Sequence, residues 1–466
     1  MSEDNFSDLL ARYENMLRNG ENMYFDSEEF EKIVEHYENK ENFNDMYKAI
    51  EEGLKQHPND EELLIKKARC LVFKKKYNEA LQLLNNSSID VTDIEAMLVK
   101  ASIYLNTKNS KLAYTLINKI LEEASDEYEY MEVAEIFCSV NKFEKAISCL
   151  QKGLKKFPGN IQLQRELAIT YWEDNKYVKA TGIFDKLLDV NPYSATDWKS
   201  IGELYMIQTK YAKALEAFEF VLVIDETDEQ ALLQKGHTLM LLKDYEKAIE
   251  TLTEYITLNA NDEMAYIFIS ECYQELEEHE KSKEYAFKAL QTGESIFSLK
   301  HLIDVLVSEN NFIDTLQYFT KALLLAPDDN NLHLQRGHVL LELGLFIEAE
   351  VSYIFALSLS SDVEEIADAI YSLGMLKARI GRDEDALFYF EKAAECNPNF
   401  PGLALKMAAL YATTKQYAKA ATSLQHAIDE FTHGTTLENF SQEEKVIHEI
   451  KQILKEQGII TNFNKL

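Results

Sequence analysis

Apolar residues along this chain recur at helical spacing, i, i+3, i+4 and i+7, and they come in paired blocks separated by short polar breaks. Each pair reads as two amphipathic helices, A and B, joined by a turn. The pair itself repeats about every 34 residues. In the clearest unit, helix A starts near Ala195 and helix B near Tyr211. Gly202 on A and Ala214 on B are small, so the two helices can approach closely. Trp198, Tyr205, Tyr211 and Phe218 are expected to fill the space around that approach. A bulky residue at Gly202 or Ala214 should overpack the pair by roughly 1–3 kcal/mol.

The same slots recur in other units. Ala68, Ala101, Ala134, Ala168, Gly236, Gly337, Gly374 and Ala408 stand where Gly202 does. Phe43, Tyr77, Phe143, Tyr177, Tyr245, Phe312, Phe346 and Tyr417 open helix B. Units therefore begin near Ser27, Glu61, Ile94, Glu127, Ile161, Ala195, Glu229, Glu263, Ile296, Asn330, Ala367 and Pro401. Met46, Ser270, Ser282, Ile303 and Thr315 depart from the small-slot pattern. Proline sets the phase independently, because it cannot continue a helix. Pro58, Pro158, Pro192, Pro327 and Pro398 stand where helix B ends, and Pro401 opens the last helix A. The interval from Pro327 to Pro398 exceeds two periods, which predicts a longer turn near Ser358–Asp362.

The run Trp198-Lys-Ser-Ile-Gly202-Glu-Leu-Tyr205, followed by Tyr211, Ala214 and Phe218, resembles the tetratricopeptide repeat. The resemblance implies an all-α, right-handed superhelical α-solenoid of about twelve helix–turn–helix units. It also implies a concave groove lined by the A helices and a protein-binding role. The expected layout is a capping helix in 1–26, the repeat array over 27–432, and a capping helix with a tail in 433–466. An amphipathic stretch at 5–18 and another at 438–457, with Phe440, Val446, Ile450 and Leu454 on one face, suit the caps a solenoid needs. A chain of 466 residues is long for one ordinary core, but in a solenoid each unit touches only its neighbours.

The formal net charge of −32, with no basic stripe breaking it, argues against a nucleic-acid surface and an anionic membrane surface. It leaves solvated acidic helices, or a basic partner, as readings. The five cysteines show no metal-ligand spacing and read as reduced thiols of a cytoplasmic protein. No apolar run reaches membrane-spanning length. No phosphate-binding loop or nucleophile elbow is present. His448-Glu449 lacks the second histidine of a helical zinc motif. Glu271 and Glu275 share a helix face, as expected by chance in so acidic a chain. No metal, no cofactor and no catalytic residue is assigned, and the chain is not read as an enzyme.

The positions that the repeat leaves free on helix A are unusually apolar for a wall facing only water. They include Leu98, Val99, Leu105, Trp172, Met206, Ile207, Leu233, His237, Met240, Ile267, Phe268, His338 and Tyr371. Trp172, Met206, Ile207, Leu233, His237, Met240, Phe268, His338 and Tyr371 are the candidate peptide-binding residues, with methionines and aromatics suited to hot spots. Burial of this face against other units is the competing reading. A terminal-carboxylate clamp of lysine and asparagine, known in the family, is disfavoured because Glu31, Glu35 and Glu62 crowd Lys32, Lys66 and Arg69. Two functions fit: a scaffold holding a protein segment in its groove, or a structural, self-associating subunit of a larger complex. The oligomeric state stays open.

Overall fold

The computed structural model describes residues 3–20, 23–40, 42–86, 89–90, 92–433 and 440–459. These form twenty-six helices, with no strand among the described residues. The chain divides into two compact units, Met1–Glu226 and Thr227–Leu466. The first holds α1 (Glu3–Asn19), α2 (Ser27–Asn39), α3 (Phe43–Gln56), α4 (Glu61–Phe73), α5 (Tyr77–Asn86), α6 (Ile94–Asn106) and α7 (Ser110–Glu123). It continues with α8 (Tyr128–Cys138), α9 (Phe143–Lys156), α10 (Ile161–Glu173), α11 (Tyr177–Val190), α12 (Ala195–Ile207) and α13 (Tyr211–Ile224). The second holds α14 (Glu229–Leu241), α15 (Tyr245–Leu258), α16 (Glu263–Glu275), α17 (His279–Thr292), α18 (Ile296–Ser308), α19 (Phe312–Leu325) and α20 (Asn330–Glu342). It ends with α21 (Phe346–Leu359), α22 (Val363–Arg379), α23 (Asp383–Cys396), α24 (Leu403–Thr413), α25 (Tyr417–His433) and α26 (Phe440–Glu456). From α2 to α25 the even-numbered helices are A and the odd-numbered are B. Within each unit, an A helix packs on its own B helix, and B packs on the next A. Each unit is therefore a solenoid of stacked pairs.

Local chemistry fixes where these helices start. Ten of the twelve A helices open on an Asp, Asn or Ser whose side chain accepts a hydrogen bond from the first turn. From α7 to α23 the B helices have no such cap. The turn before each of them is organised differently. One residue there adopts the left-handed conformation: Lys75, Lys108, Asn141, Asn175, Thr209, Lys243, Glu277, Asn310, Gly344, Gly381 or Lys415. The residue after it donates its N–H to a carbonyl five residues back, as from Lys210 to Tyr205 at 2.8 Å. That is the closure of a Schellman motif, which satisfies the last carbonyls of helix A while turning the chain into helix B.

The small slots do what their size requires. A Cβ at Gly202 would stand 2.7 Å from the Phe218 ring, and one at Gly337 would stand 2.4 Å from Tyr353. Phe218 and Tyr353 are fully buried. Where the slot departs from Gly or Ala, hydroxyls compensate: buried Ser270 Oγ donates to the Ser282 carbonyl at 2.7 Å, and Thr315 Oγ1 to the Asn311 carbonyl at 2.6 Å. Trp198 differs from its expected role. It is only half-buried, its Nε1 donates to the Pro192 carbonyl at 2.8 Å, and its ring stacks at 4.5 Å on the exposed Phe220.

The longer turn expected near Ser358–Asp362 is absent. The turn before α22 spans only 360–362, and the extra residues lengthen the helix, which has 17 residues where α20 has 13. Asp362 caps it by accepting from Glu365 N at 2.8 Å, so the helix starts at once and not at Ala367.

At the ends, α1 buries Leu9, Tyr13 and Met16 with Phe25, Phe30 and Tyr37 of the first pair. Ile447, Ile450 and Leu454 of α26 join Leu424 and Ile428 of α25. The side chain of Phe440 lies outside the described residues.

Candidate functional site

In the first unit the A helices α4, α6, α8 and α10 touch in succession and make a continuous wall. Leu98, Val99 and Leu105, read from periodicity as open positions, are buried there, because α4 and α8 close on α6 from both sides. A cavity of about 480 Å³ remains between α4, α6 and α8. Leu98 and Val99 form its floor, with Val72 and Ile136 beside them. Arg69 on α4 reaches past α6 to α8, where its Nη2 donates to Glu132 Oε2 at 3.2 Å. A smaller cavity of about 180 Å³ adjoins it through Arg69 and Phe73. The Phe73 ring there is 77% exposed and stacks on Phe43 at 5.8 Å.

Electrostatics along this wall are lopsided. The pKa of Glu135 is raised, first by burial among protein atoms and then by Glu132, with Glu166 adding to it. That of Glu166 is raised by burial and by Glu173. Arg165, the next cation along, is committed elsewhere: its Nε and Nη2 donate to the buried Asp197 at 2.8 and 3.0 Å. Burial alone would raise the Asp197 pKa, but Arg165 and the Ser194 hydroxyl overcome it and leave it lowered. One basic run does interrupt the acidity, contrary to the reading of the sequence: 66–76 carries six cations and no acid. Four of them pair within the chain, Lys66 with Glu38, Lys67 with Glu51, Arg69 with Glu132 and Lys76 with Glu79, so the run offers no free stripe for phosphates.

Of the predicted groove residues in this unit, Trp172 is half-buried on α10 beside the core cluster. Met206 is half-buried and Ile207 exposed at the end of α12. In the second unit, Leu233, His237 and Met240 lie half-buried on α14, and Phe268 half-buried on α16. The structure brings two of them together: the His237 and Phe268 rings stack at 4.7 Å and 6°. Neighbouring Ile267 is buried, not open as periodicity suggested. Tyr371 stacks at 4.6 Å on Phe400 of its own chain, and burial pushes its phenol up to about 12. His338 is open to water, with Nε2 3.1 Å from Ser372 Oγ. Burial lowers the pKa of His237, and takes that of His301, whose Nε2 lies 2.8 Å from Ser270 Oγ, to about 4. These imidazoles are neutral at pH 7. The thiols of Cys138, Cys149 and Cys272 are all pushed up by burial, to about 11, 12 and 12, and none is an activated nucleophile.

Reading only the A helices missed a second apolar surface. Helix α21 is predominantly apolar, and Ile347, Val351 and Ile354 stand exposed along its outer face. In the first unit Phe220 and Val223 of α13 do the same. The signal was present in both helices, where large apolar residues stand among the polar positions of the outer face.

The comparisons bear on the repeat. Residues 229–262 and 367–400 match the tetratricopeptide repeat model, in phase with the helix pairs α14/α15 and α22/α23. These two helix pairs are tetratricopeptide repeats. Most of the other helix pairs share the left-handed turn residue and the small slots without matching that model. No curated relative matches the sequence. Among solved structures, MamA is 21% identical over 36% of this chain and 92% of its own, with a TM-score of 0.34. The Cut9–Hcn1 heterotetramer of APC/C is 11% identical over 96% and 99%, at 0.41. Yeast Tom70 is 14% identical over 93% and 96%, at 0.38. Similarities this distant carry no functional argument. No helix among the described residues is long and apolar enough to cross a membrane.

Proposed function

We propose that this repeat protein is a non-enzymatic scaffold that binds a segment of another protein along its A-helix walls. The observation that carries this is the half-buried row Leu233, His237, Met240 and Phe268 on α14 and α16, apolar and aromatic yet not closed over by the second unit's own helices. A row of this kind gains by receiving apolar side chains, whereas polar positions there would gain nothing. The neutral histidines add hydrogen-bonding capacity without adding charge. Trp172, Met206 and Ile207 offer a corresponding set in the first unit. Affinity capture from native lysate tests the reading, comparing wild type with Met240→Glu and Trp172→Ala. Specific partners should be lost from one or both variants. An unchanged partner set in both would sink the assignment.

The exposed apolar face of α21 favours a second reading, a subunit that associates with itself or with a larger assembly. Light scattering separates the two. A mass that is constant with concentration, in wild type and in Ile354→Lys alike, argues against self-association.

A further inference from the structure

Resting on the scaffold reading, we propose that the cavity between α4, α6 and α8 receives a protein segment with an apolar side chain followed closely by a lysine or arginine. The apolar side chain lies on Val72, Leu98, Val99 and Ile136, and the cation pairs with Glu135. The cavity holds about 480 Å³, enough for one large side chain and adjoining backbone. Its floor is apolar, which makes burial of a leucine or phenylalanine favourable.

Charge complementarity selects the neighbouring residue. Glu132, Glu135, Glu166 and Glu173 crowd this end of the wall, and for Glu135 and Glu166 repulsion from these neighbours adds to burial in raising the pKa. Arg69 lowers the Glu135 pKa from inside but is bound to Glu132 at 3.2 Å, and Arg165 acts in the same way on Glu166. Arg165 is taken by Asp197. An incoming cation relieves this repulsion, and an incoming carboxylate adds to it. Lys75 also lines the cavity, from the α4–α5 turn. The Arg69–Glu132 pair spans the cavity and fixes the separation of α4 and α8, which keeps the floor accessible without a ligand.

The probe is a synthetic array of short peptides, each with Leu, Ile or Phe beside Lys, Glu or Gln, followed by anisotropy titration of the strongest member against the full chain. The Lys set should bind best and weaken with salt. Glu135→Gln should reduce affinity about three- to ten-fold, the range of one partly exposed ion pair. Ser102→Trp, which fills the cavity from α6, should abolish binding. If Ser102→Trp does not fold, Glu135→Gln alone decides, since Glu135 is at the open surface. Equal or stronger binding of the Glu set, or indifference to Glu135→Gln, overturns the proposal. So does a dimer in sedimentation equilibrium that Ser102→Trp dissociates, which would give the cavity to a second copy of the chain. Glu384→Gln, the same charge change at an exposed position of α23, serves as the outside control and should leave peptide affinity unchanged. Loss of lysate partners in Met240→Glu with no peptide binding would remove this inference and leave the scaffold standing.

Discussion

Replacing Gly202 with alanine tests whether close approach of A and B holds the repeat together. The added Cβ would lie 2.7, 2.9 and 3.1 Å from three atoms of the Phe218 ring. That ring is fully buried, so it cannot swing into solvent to make room. Overpacking of this kind costs about 1–3 kcal/mol, while alanine for glycine inside a helix returns about 1 kcal/mol. The net expectation is a destabilisation of up to about 2 kcal/mol. Gly182 on α11 supplies the control in the same unit: it is also helical, but a Cβ there meets nothing within 4 Å. Gly182→Ala should therefore stabilise, by about 0.5–1 kcal/mol. Both tryptophans of the chain, Trp172 and Trp198, lie in the first unit, so urea unfolding followed by tryptophan fluorescence reads that unit selectively. With a urea slope of about 1–3 kcal/mol/M, Gly202→Ala should lower the midpoint by up to about 1 M and Gly182→Ala should raise it. If both variants move the midpoint in the same direction, helix propensity rules this position and the close-approach argument is wrong.

The turn residues make a second test. Thr209 is β-branched at φ 56°, so Thr209→Gly should stabilise by about 0.5–1 kcal/mol, while Gly344→Ala at φ 75° should destabilise by about 1 kcal/mol; thermal melts with no loss in the latter would contradict the strain. Arg165→Ala strands the buried Asp197 carboxylate and should cost about 2–3 kcal/mol, less than a fully buried pair because Arg165 is partly hydrated. Adding Asp197→Asn should recover part of that in urea titrations, and a double variant as weak as the single would refute it. His301 titrates near 4 when folded against about 6.5 unfolded, so its contribution is whole above pH 6.5 and is lost as pH falls toward 4. The loss is at most about 3 kcal/mol. Acid unfolding followed by circular dichroism should shift to lower pH in His301→Asn, with the tryptophan signal unmoved.

Much of the frame was legible in the chain. Most helix A starts were read to the residue, because the recurring small slots and the prolines set the phase of the period. The α22 start was missed although Asp362 and Glu365 carry a capping pattern, since a fixed period assigned the surplus to a turn. The wall was harder to read. Periodicity gives the angle of a side chain around its helix but not how deeply the neighbouring helix covers it. Leu98, Val99, Leu105 and Ile267 thus follow the same spacing as Leu233 and Met240, yet the first four are buried and the latter two only half-buried. The Arg69–Glu132 pair joins residues nearly two repeats apart, and no local pattern announces it. The outer faces of α13 and α21 were overlooked because the expectation placed recognition on the A helices alone.

The lengthening of α22 has a consequence for how such a chain can change by insertion. Its four additional residues are close to one helical turn, about 3.6 residues. Side chains after the insertion therefore return nearly to the angle they had before it. Gly374 still meets Phe390, and the second matched repeat still runs in phase to residue 400. Two extra residues would have turned the rest of the helix to its opposite side and set polar positions against α23. Length in this architecture is thus tolerated in whole turns at a helix start, which makes the exposed first turn around Val363 a natural place to graft a foreign segment without disturbing the stack.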